Sequence, residues 1–425
     1  MEKIEGMLSP YRVLDLTTER GFICCKLLGD LGANVIKIEK PGGDPARSIG
    51  PFYHDIPDPE KSLYWWAFNT SKRGITLDIE TADGQEIFKR LVRSTDVLIE
   101  SFDPGYMDKI GLSYSVLSHI NPQLIMTSIT GFGQTGPYKD YKAPDIVVWA
   151  LSGNAQITGD PDRAPLTPSY PVVYNISGPL HAAVGTMVAL YHRQMTGEGQ
   201  QVDVSTQLSL VPFVGVEPHG VWEQDKTIAS RQGSFWLHPQ INASGSTVWI
   251  SSRLFYQCKD GNIAFAITGG GMGHSTAALA RWIESEGMAS EVLKKIDWMT
   301  FDWQTISQEV VNEVSENFER FFLTHTKSEL MEEAGKRGIM LYPLFTPKDM
   351  LEFNQLMARK YWVEVEHPEL GRTITYPGSF IKTTEAPYRI CCRAPLIGEH
   401  NEEIYIKELG LSKQELLTLK QMNVI

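Results

Sequence analysis

Apolar, strand-like runs alternate with helix-like segments over about the first half of this 425-residue chain. The strand-like runs cover residues 12–16, 35–39, 75–79, 97–100, 124–130 and 201–204, and the helix-like segments cover residues 21–31, 84–92, 145–151 and 179–192. Strands that are joined through helices pair in parallel, and helices then cover both faces of the sheet. The alternation therefore predicts an α/β fold.

The remaining segments have weaker patterns. Residues 41–72 are rich in Pro, Gly, Asp and aromatic residues, which predicts a long ordered loop of the kind that often carries function. Composition changes after about residue 206, residues 274–335 are helical and acidic, and strand and helix patterns return at 364–376 and 398–425. A chain of this length predicts two or three domains.

Charge and cysteine content restrict the class of protein. The formal net charge of −12 argues against nonspecific binding to nucleic acid or to an anionic membrane surface. The five cysteines form two adjacent pairs and one single residue without CxxC spacing, so we expect reduced thiols and no metal site. The charged N-terminus lacks a signal-peptide core, and prolines and glycines interrupt the charge-poor segment 164–192. We therefore expect a cytoplasmic protein without a membrane span.

Other types of site receive little support. A strand, a helix and a second strand ending in Glu39 are similar to a dinucleotide-binding unit, but the intervening turn offers only Gly21 instead of GxGxxG, which excludes NAD and FAD. The glycine run at 269–273 fits either a phosphate-binding loop or a structural turn. His238 and His274 have no HExxH pattern or paired carboxylate beside them, so we interpret them as structural or surface residues.

Eight short blocks occur in a fixed order along nearly the whole chain. They are VLDLT at 13–17, LLGDLGANVIKIE at 27–39, PGGD at 41–44, NTSKRGITLD at 69–78, DVLIESFDPG at 96–105, GFGQTGPY at 131–138, TGEGQ at 196–200 and RAPLIGEH at 393–400. Any one block is weak, but the ordered set resembles the class III CoA-transferases, the family of formyl-CoA and carnitine CoA-transferases.

The resemblance implies a Rossmann-like large domain and a smaller α+β domain in an interlocked dimer. The large domain would contain residues 1–210 with about 375–425, the small domain about 225–350, and the linkers 211–224 and 351–374. Each ring-like chain would thread the other, so two paralogous chains could pair as well as two identical ones. The substrate would be a coenzyme A thioester, and no cofactor would be bound permanently.

The resemblance also implies a set of CoA contacts. CoA has a 3′-phosphate, a pyrophosphate and an adenine ring, which require cations and backbone donors on several loops. The matching positions are Arg20, Lys40, Leu77, Asp78, Ile79, Glu80, Ser101, Phe102, Asp103, Lys109, Lys142 and Asp145. Among these, Lys40, Lys109 and Lys142 are the candidate phosphate partners.

The chain departs from the family at the catalytic position. Family members have an aspartate four residues before the glycine that opens a helix, and here that position is Tyr174, four residues before Gly178. The reaction requires a carboxyl group, because only an acyl group on the enzyme can carry CoA as a thioester. A phenol with an ordinary pKa near 10 cannot replace it. The loop 17–21 is also one residue shorter than is usual, and it carries Glu19 and Arg20.

Asp145 is the nearest alternative nucleophile, at a site where the family commonly has an acidic residue. The racemase branch of the superfamily has a histidine immediately before this site and uses it with the catalytic aspartate. Here the preceding residue is Pro144. Racemase activity is therefore not expected.

Three functions remain open. The first is the non-catalytic subunit of a benzylsuccinate-type CoA-transferase of anaerobic aromatic degradation, in which a paralogous subunit supplies the aspartate and CoA moves from succinyl-CoA to a substituted succinate. The aromatic residues at 64–68 fit an aromatic acyl group, although core packing explains them equally well. The second is an active homodimeric transferase that uses Asp145 or another carboxylate. The third is a CoA-binding structural or regulatory protein without turnover.

Overall fold

A computed structural model describes residues 6–168, 170–171, 173–214, 231–242, 244–386 and 388–425. The chain divides into two compact units. The first contains the described residues of Met1–Asn154, Thr167–Asp225 and Asn354–Ile425, and the second contains those of Ala155–Leu166 and Lys226–Phe353.

The first unit is built on a parallel sheet, which in the described part of the chain has six strands in the order β3-β2-β1-β4-β5-β6. The strands are β1 (Arg12–Leu16), β2 (Asn34–Glu39), β3 (Lys72–Thr76), β4 (Val97–Glu100), β5 (Ile125–Thr130) and β6 (Gln201–Ser205). The predicted α/β fold class is confirmed. The order reverses between β1 and β4, which are neighbours although β2 and β3 lie between them in sequence.

Helices cover both faces of this sheet, because its strands are apolar on both sides. In β4, Leu98 packs into the core that contains Phe88, whereas Val97 and Ile99 pack into the core that contains Cys24. The helices are Phe22–Asp30, Leu63–Phe68, Ala82–Val92, Tyr106–Lys109, Tyr114–Ile120, Asp145–Leu151, Gly178–Thr196, Thr206–Leu210, Asn354–Ala358 and Lys413–Gln421, and the short helix Asn154–Ile157 begins at the end of this unit's first segment.

Two of the differences between the first unit and the sequence prediction involve polar residues. β3 begins at Lys72, not at residue 75, because the buried ammonium of Lys72 pairs with Asp15 of β1 at 2.8 Å. The predicted loop 41–72 contains a helix, Leu63–Phe68, which Ser62 caps by accepting a hydrogen bond from the backbone N–H of Trp65 at 3.1 Å. In both places a polar residue forms a contact that an apolar pattern does not indicate.

The segment for which we expected a linker, 351–374, contains regular structure. Strand Trp362–His367 pairs antiparallel with Arg372–Pro377. Val365 and Tyr376 of this hairpin pack with Trp65 and Trp66 in the first unit.

The second unit has its own aromatic core. A hairpin of Phe235–Ile241 and Thr247–Arg253 and an antiparallel sheet of Phe255–Cys258, Gly261–Phe265 and Leu341–Pro343 accompany helices His274–Ser285, Glu291–Lys295, Gln308–Phe322, Lys327–Arg337 and Pro347–Glu352. In the glycine run, a Cβ on Gly273 would lie 1.9 Å from the carbonyl oxygen of Trp298, so close packing requires a glycine there. His238 is buried, stacks on Trp303 and hydrogen-bonds Ser252, as expected of a structural histidine.

Candidate CoA site

The candidate residues lie in the loops and helices that follow the carboxyl ends of the sheet strands. The loop after β1 and the loop after β4 meet where the strand order reverses, the usual position of a ligand site in such sheets. The backbone N–H of Thr18 donates to Ser101 Oγ at 2.8 Å, and Arg20 Nη1 lies 3.3 Å from Asp103 Oδ1. The structure thus brings together three of the predicted contacts, Arg20, Ser101 and Asp103.

Tyr174 lies in a π-helical turn, Val173–Ser177, directly before helix Gly178–Thr196. Its side chain is buried, and its hydroxyl has no hydrogen-bond partner in the described structure. The Arg20 guanidinium lies over the phenol ring at 5.2 Å from its centroid. Burial raises the pKa of Tyr174 to about 12, although Arg20 acts in the opposite direction. The phenol is therefore protonated at neutral pH.

Asp145 holds this turn in place. It is the first residue of helix Asp145–Leu151, and its Oδ1 accepts a hydrogen bond from the backbone N–H of Tyr174 at 3.1 Å. Burial raises the pKa of Asp145, while the N–H groups of Tyr174 and Val173 act against that rise. The carboxylate thus binds the backbone of the turn that carries Tyr174.

A contact that the sequence analysis missed joins the aromatic helix to the same turn. Tyr64 Oη donates to Asn175 Oδ1 at 2.5 Å, and Asn175 Nδ2 is buried with no hydrogen-bond partner among the described residues. Burial raises the pKa of Tyr64. The sequence suggested only an apolar role for the aromatic cluster, since nothing near Tyr64 in sequence indicates a bond to a residue 111 positions away.

A second group of candidates surrounds Glu80. Lys40 Nζ lies 2.9 Å from Glu80 Oε2, and Tyr106 Oη donates to Glu80 Oε1 at 2.6 Å. Hydrogen bonds from Tyr106 and Lys40 lower the pKa of Glu80, and the charge of Lys109 contributes in the same direction. Tyr106 also packs on Phe102, with ring centroids 4.5 Å apart. Tyr106, which sequence reasoning did not select, therefore connects the loops after β3 and β4.

Not every predicted contact presents its side chain. Leu77 and Ile79 are buried in the core, so only their backbone groups remain for a ligand. Asp78 Oδ1 accepts the backbone N–H of Glu80 at 3.0 Å, which shapes the turn. Lys142 is exposed, and with Arg20, Asp103 and neighbours on the loop 139–143 it lines a cavity of about 160 Å³.

Sequence reasoning also missed the buried carboxyl group of Glu100. Glu100 ends β4, is 2% exposed and accepts the backbone N–H of Phe102 at 2.8 Å. It lines a cavity of about 230 Å³ with Asp103 and Asp108. Burial raises the pKa of Glu100 to about 7, and the carboxylates of Asp203 and Asp108 add to the rise. An acid at the end of an otherwise apolar strand was the available sequence signal.

Two further features concern metals and membranes. Among the described residues, no group of three His, Cys, Asp or Glu side chains is arranged to hold a metal ion. In that same part of the chain, no helix combines the length and apolar character needed to cross a bilayer.

Comparison of the sequence and fold with known proteins identifies the family. The sequence model of CoA-transferase family III matches residues 8–401. The chain is 34% identical to the succinyl-CoA:(R)-benzylsuccinate CoA-transferase subunit BbsE of Thauera aromatica, over 98% of both chains. It is 31% identical to a formyl-CoA:oxalate CoA-transferase of Streptomyces coelicolor, over 98% of this chain and 99% of that one. The crystal structure of a CAIB/BAIF family protein from Brucella suis has a TM-score of 0.79 at 27% identity, covering 95% of this chain and 99% of that one.

Proposed function

This chain belongs to CoA-transferase family III, and we propose that it is the non-catalytic subunit of a transferase that moves CoA from an acyl-CoA to a carboxylic acid. The observation that carries the proposal is the buried, protonated phenol of Tyr174. The resemblance in sequence matches this residue to the family's catalytic aspartate. A paralogous subunit of the same fold supplies the aspartate.

The missing step defines what the partner does. In the family reaction a carboxylate attacks the thioester carbonyl, expels CoA as a thiolate and forms a mixed anhydride. The thiolate then attacks the enzyme's acyl carbon, which releases the donor acid and leaves an enzyme thioester. The acceptor acid attacks that thioester, and the thiolate finally takes the acyl group of the new anhydride. Each intermediate requires an enzyme carboxyl group, which Tyr174 cannot provide.

Other residues of this chain retain a role in binding. We assign Arg20, Lys40, Lys109 and Lys142 to the phosphates of CoA, because they lie along one edge of the sheet on loops after four different strands. The backbone of Leu77, Asp78, Ile79 and Glu80 and the side chains of Ser101, Phe102 and Asp103 would border the rest of the ligand.

The similarity to a benzylsuccinate CoA-transferase subunit supports a more specific proposal. Succinyl-CoA is the donor, and an aromatic succinate is the acceptor, in a cytoplasmic hetero-oligomer of anaerobic aromatic degradation. CoA thioesters are substrates, and no cofactor remains bound. The aromatic helix Leu63–Phe68, whose Tyr64 contacts the turn of Tyr174, is the part of this chain suited to an aromatic acyl group.

An active homodimer with Asp145 as nucleophile receives less support. Asp145 Oδ1 already accepts the N–H of Tyr174, so the carboxylate is engaged with the backbone of the turn instead of being free to attack a thioester. Its role in the structure is thus to fix the turn.

Trapping of the covalent intermediate tests the proposal. The chain is purified alone and with a paralogue that has aspartate at the matching position, incubated with succinyl-CoA, and treated with hydroxylamine or borohydride before peptide mass spectrometry. We expect modification of the partner's aspartate only. Asp145→Asn is the control and leaves that labelling unchanged. Modification of Asp145 would contradict the proposal, and CoA binding without any labelling would leave a binding protein without turnover.

A further inference from the structure

The loop 17–21, which carries Arg20, is held at its first residue by a buried charge network. Asp15 Oδ1 accepts both the N–H of Thr17 at 2.8 Å and its hydroxyl at 2.6 Å. The remaining backbone group, the carbonyl oxygen of Thr17, accepts a hydrogen bond from Lys37 Nζ of β2. The N–H, hydroxyl and carbonyl of Thr17 therefore all bind side chains that are themselves buried.

Lys37 is charged although it is only 1% exposed. Its Nζ lies 3.4 Å from Asp44 Oδ2 and 3.9 Å from Asp15 Oδ1. Burial favours loss of the proton, but the carboxylates of Asp15, Asp44 and Glu39 outweigh it and raise the pKa of Lys37. The hydrogen bond to the Thr17 carbonyl is thus charge-assisted, and such bonds are stronger than neutral ones.

The position of Thr17 affects the residues that follow it. Thr18 N–H reaches Ser101 Oγ at 2.8 Å, and Gly21 N–H closes the turn on the Thr18 carbonyl at 2.9 Å. Arg20 then stands beside Asp103 and over the ring of Tyr174. A shift of the Thr17 carbonyl would move Arg20 away from both.

We propose that Lys37 is a positioning residue, whose ammonium fixes the carbonyl of Thr17 and thereby places Arg20 at the CoA site. Lys37 acts through the loop, because its buried ammonium binds the carbonyl of Thr17 and the carboxylate of Asp44. The inference rests on the proposed function for the identity of the ligand, but the position of the loop can be measured without any ligand.

Lys72 provides a matched control. It is as deeply buried as Lys37 and lies 2.8 Å from the other carboxylate oxygen of Asp15. Its further hydrogen bonds in the described structure go to Asn69 Oδ1 at 2.8 Å and to the carbonyl of Phe22 at 3.2 Å, and none of these involves Thr17. Lys37→Met and Lys72→Met each remove one buried ammonium from the same aspartate, but only Lys37→Met releases the loop carbonyl.

Hydrogen–deuterium exchange of the full-length chain, read at individual amides by fragmentation mass spectrometry, is the first test. We expect Lys37→Met to accelerate exchange of the Thr18 and Gly21 amides by about tenfold, and Lys72→Met to leave them within about threefold of wild type. Equal acceleration in the two variants, or no acceleration in Lys37→Met, would overturn the proposal.

Calorimetric titration with CoA is the second test. Lys37→Met is expected to weaken CoA binding by about tenfold, with a smaller effect from Lys72→Met. If Lys37→Met does not fold, Asp44→Asn replaces it, since this change removes a carboxylate that faces Lys37 and should shift exchange and affinity in the same direction by a smaller factor. Unchanged exchange in Asp44→Asn would then count against the proposal. If the wild-type chain fails to bind CoA, the proposed ligand is wrong, while the exchange experiment still decides the role of Lys37.

Discussion

The hydroxyl of Tyr174 is buried and has no hydrogen-bond partner in the part of the chain that the structure describes. Such burial is costly because the group has lost its hydrogen bonds to water. We expect Tyr174→Phe to raise the free energy of unfolding by about 1 kcal/mol, measured by urea denaturation. The matched control is Tyr405→Phe, because Tyr405 is also buried but donates to the carbonyl of Thr76 at 2.6 Å. That change should lower stability by about 1–2 kcal/mol. A loss of stability in Tyr174→Phe would show that its hydroxyl has a partner.

Glu100 predicts a pH dependence of stability. Its pKa rises from an ordinary value of 4.5 to about 7 on folding. Between these two pKa values the folded chain keeps a proton that the unfolded chain has lost. Glu100 therefore makes the free energy of unfolding fall as the pH rises toward 7, and its contribution is constant above that pH. Glu100→Gln lacks this titration. Its free energy of unfolding relative to wild type should therefore increase by up to about 3 kcal/mol from about pH 5 to pH 8. Urea denaturation across this range checks it, and parallel pH curves for the two proteins would contradict it.

At the scale of elements, Asp145 joins helix Asp145–Leu151 to the turn Val173–Ser177. Asp145→Ala leaves the buried N–H of Tyr174 without its acceptor and should cost about 1–2 kcal/mol in thermal or urea unfolding. Asp145→Asn keeps an acceptor oxygen and should cost less than half as much. Equal losses in the two variants would indicate that the negative charge, not the hydrogen bond, holds the turn.

The same elements show what a sequence can predict. β1, β4 and helix Asp145–Leu151 have the predicted bounds, because apolar residues dominate each element and a polar residue directly follows its last position. β3 was misplaced because its first residue, Lys72, is a buried cation whose partner lies 57 residues away. The candidate positions follow the carboxyl ends of strands, so a correct strand assignment locates them. The sequence does not show that Leu77 points into the core, or that Tyr64 reaches Asn175.

At the scale of the whole molecule, the segment after residue 388 returns to the edge of the sheet and hydrogen-bonds to β3, where the N–H of His400 donates to the carbonyl of Gly74 at 2.9 Å. Asn401 accepts the N–H of Thr76 at 2.9 Å and donates to its hydroxyl at 2.8 Å, across 325 residues. Asn401→Ala leaves both groups buried without partners and should cost about 2–3 kcal/mol of unfolding free energy. Because Thr76 directly precedes the turn at 77–80, the variant should also bind CoA more weakly. Calorimetric titration of the folded variant checks this. Wild-type affinity for CoA would show that Asn401 does not influence the turn at 77–80.

Lys40 and Arg20 each face a carboxylate of the protein itself, Glu80 and Asp103. A phosphate that reaches either cation competes with a carboxylate that is part of the same molecule. Binding therefore exchanges one anion for another. The net electrostatic gain is reduced by the ion-pair energy that is lost when the carboxylate is displaced. This arrangement favours a polyphosphate over a small monovalent anion. The monovalent anion gains little from the exchange, whereas a polyphosphate can replace both carboxylates at once.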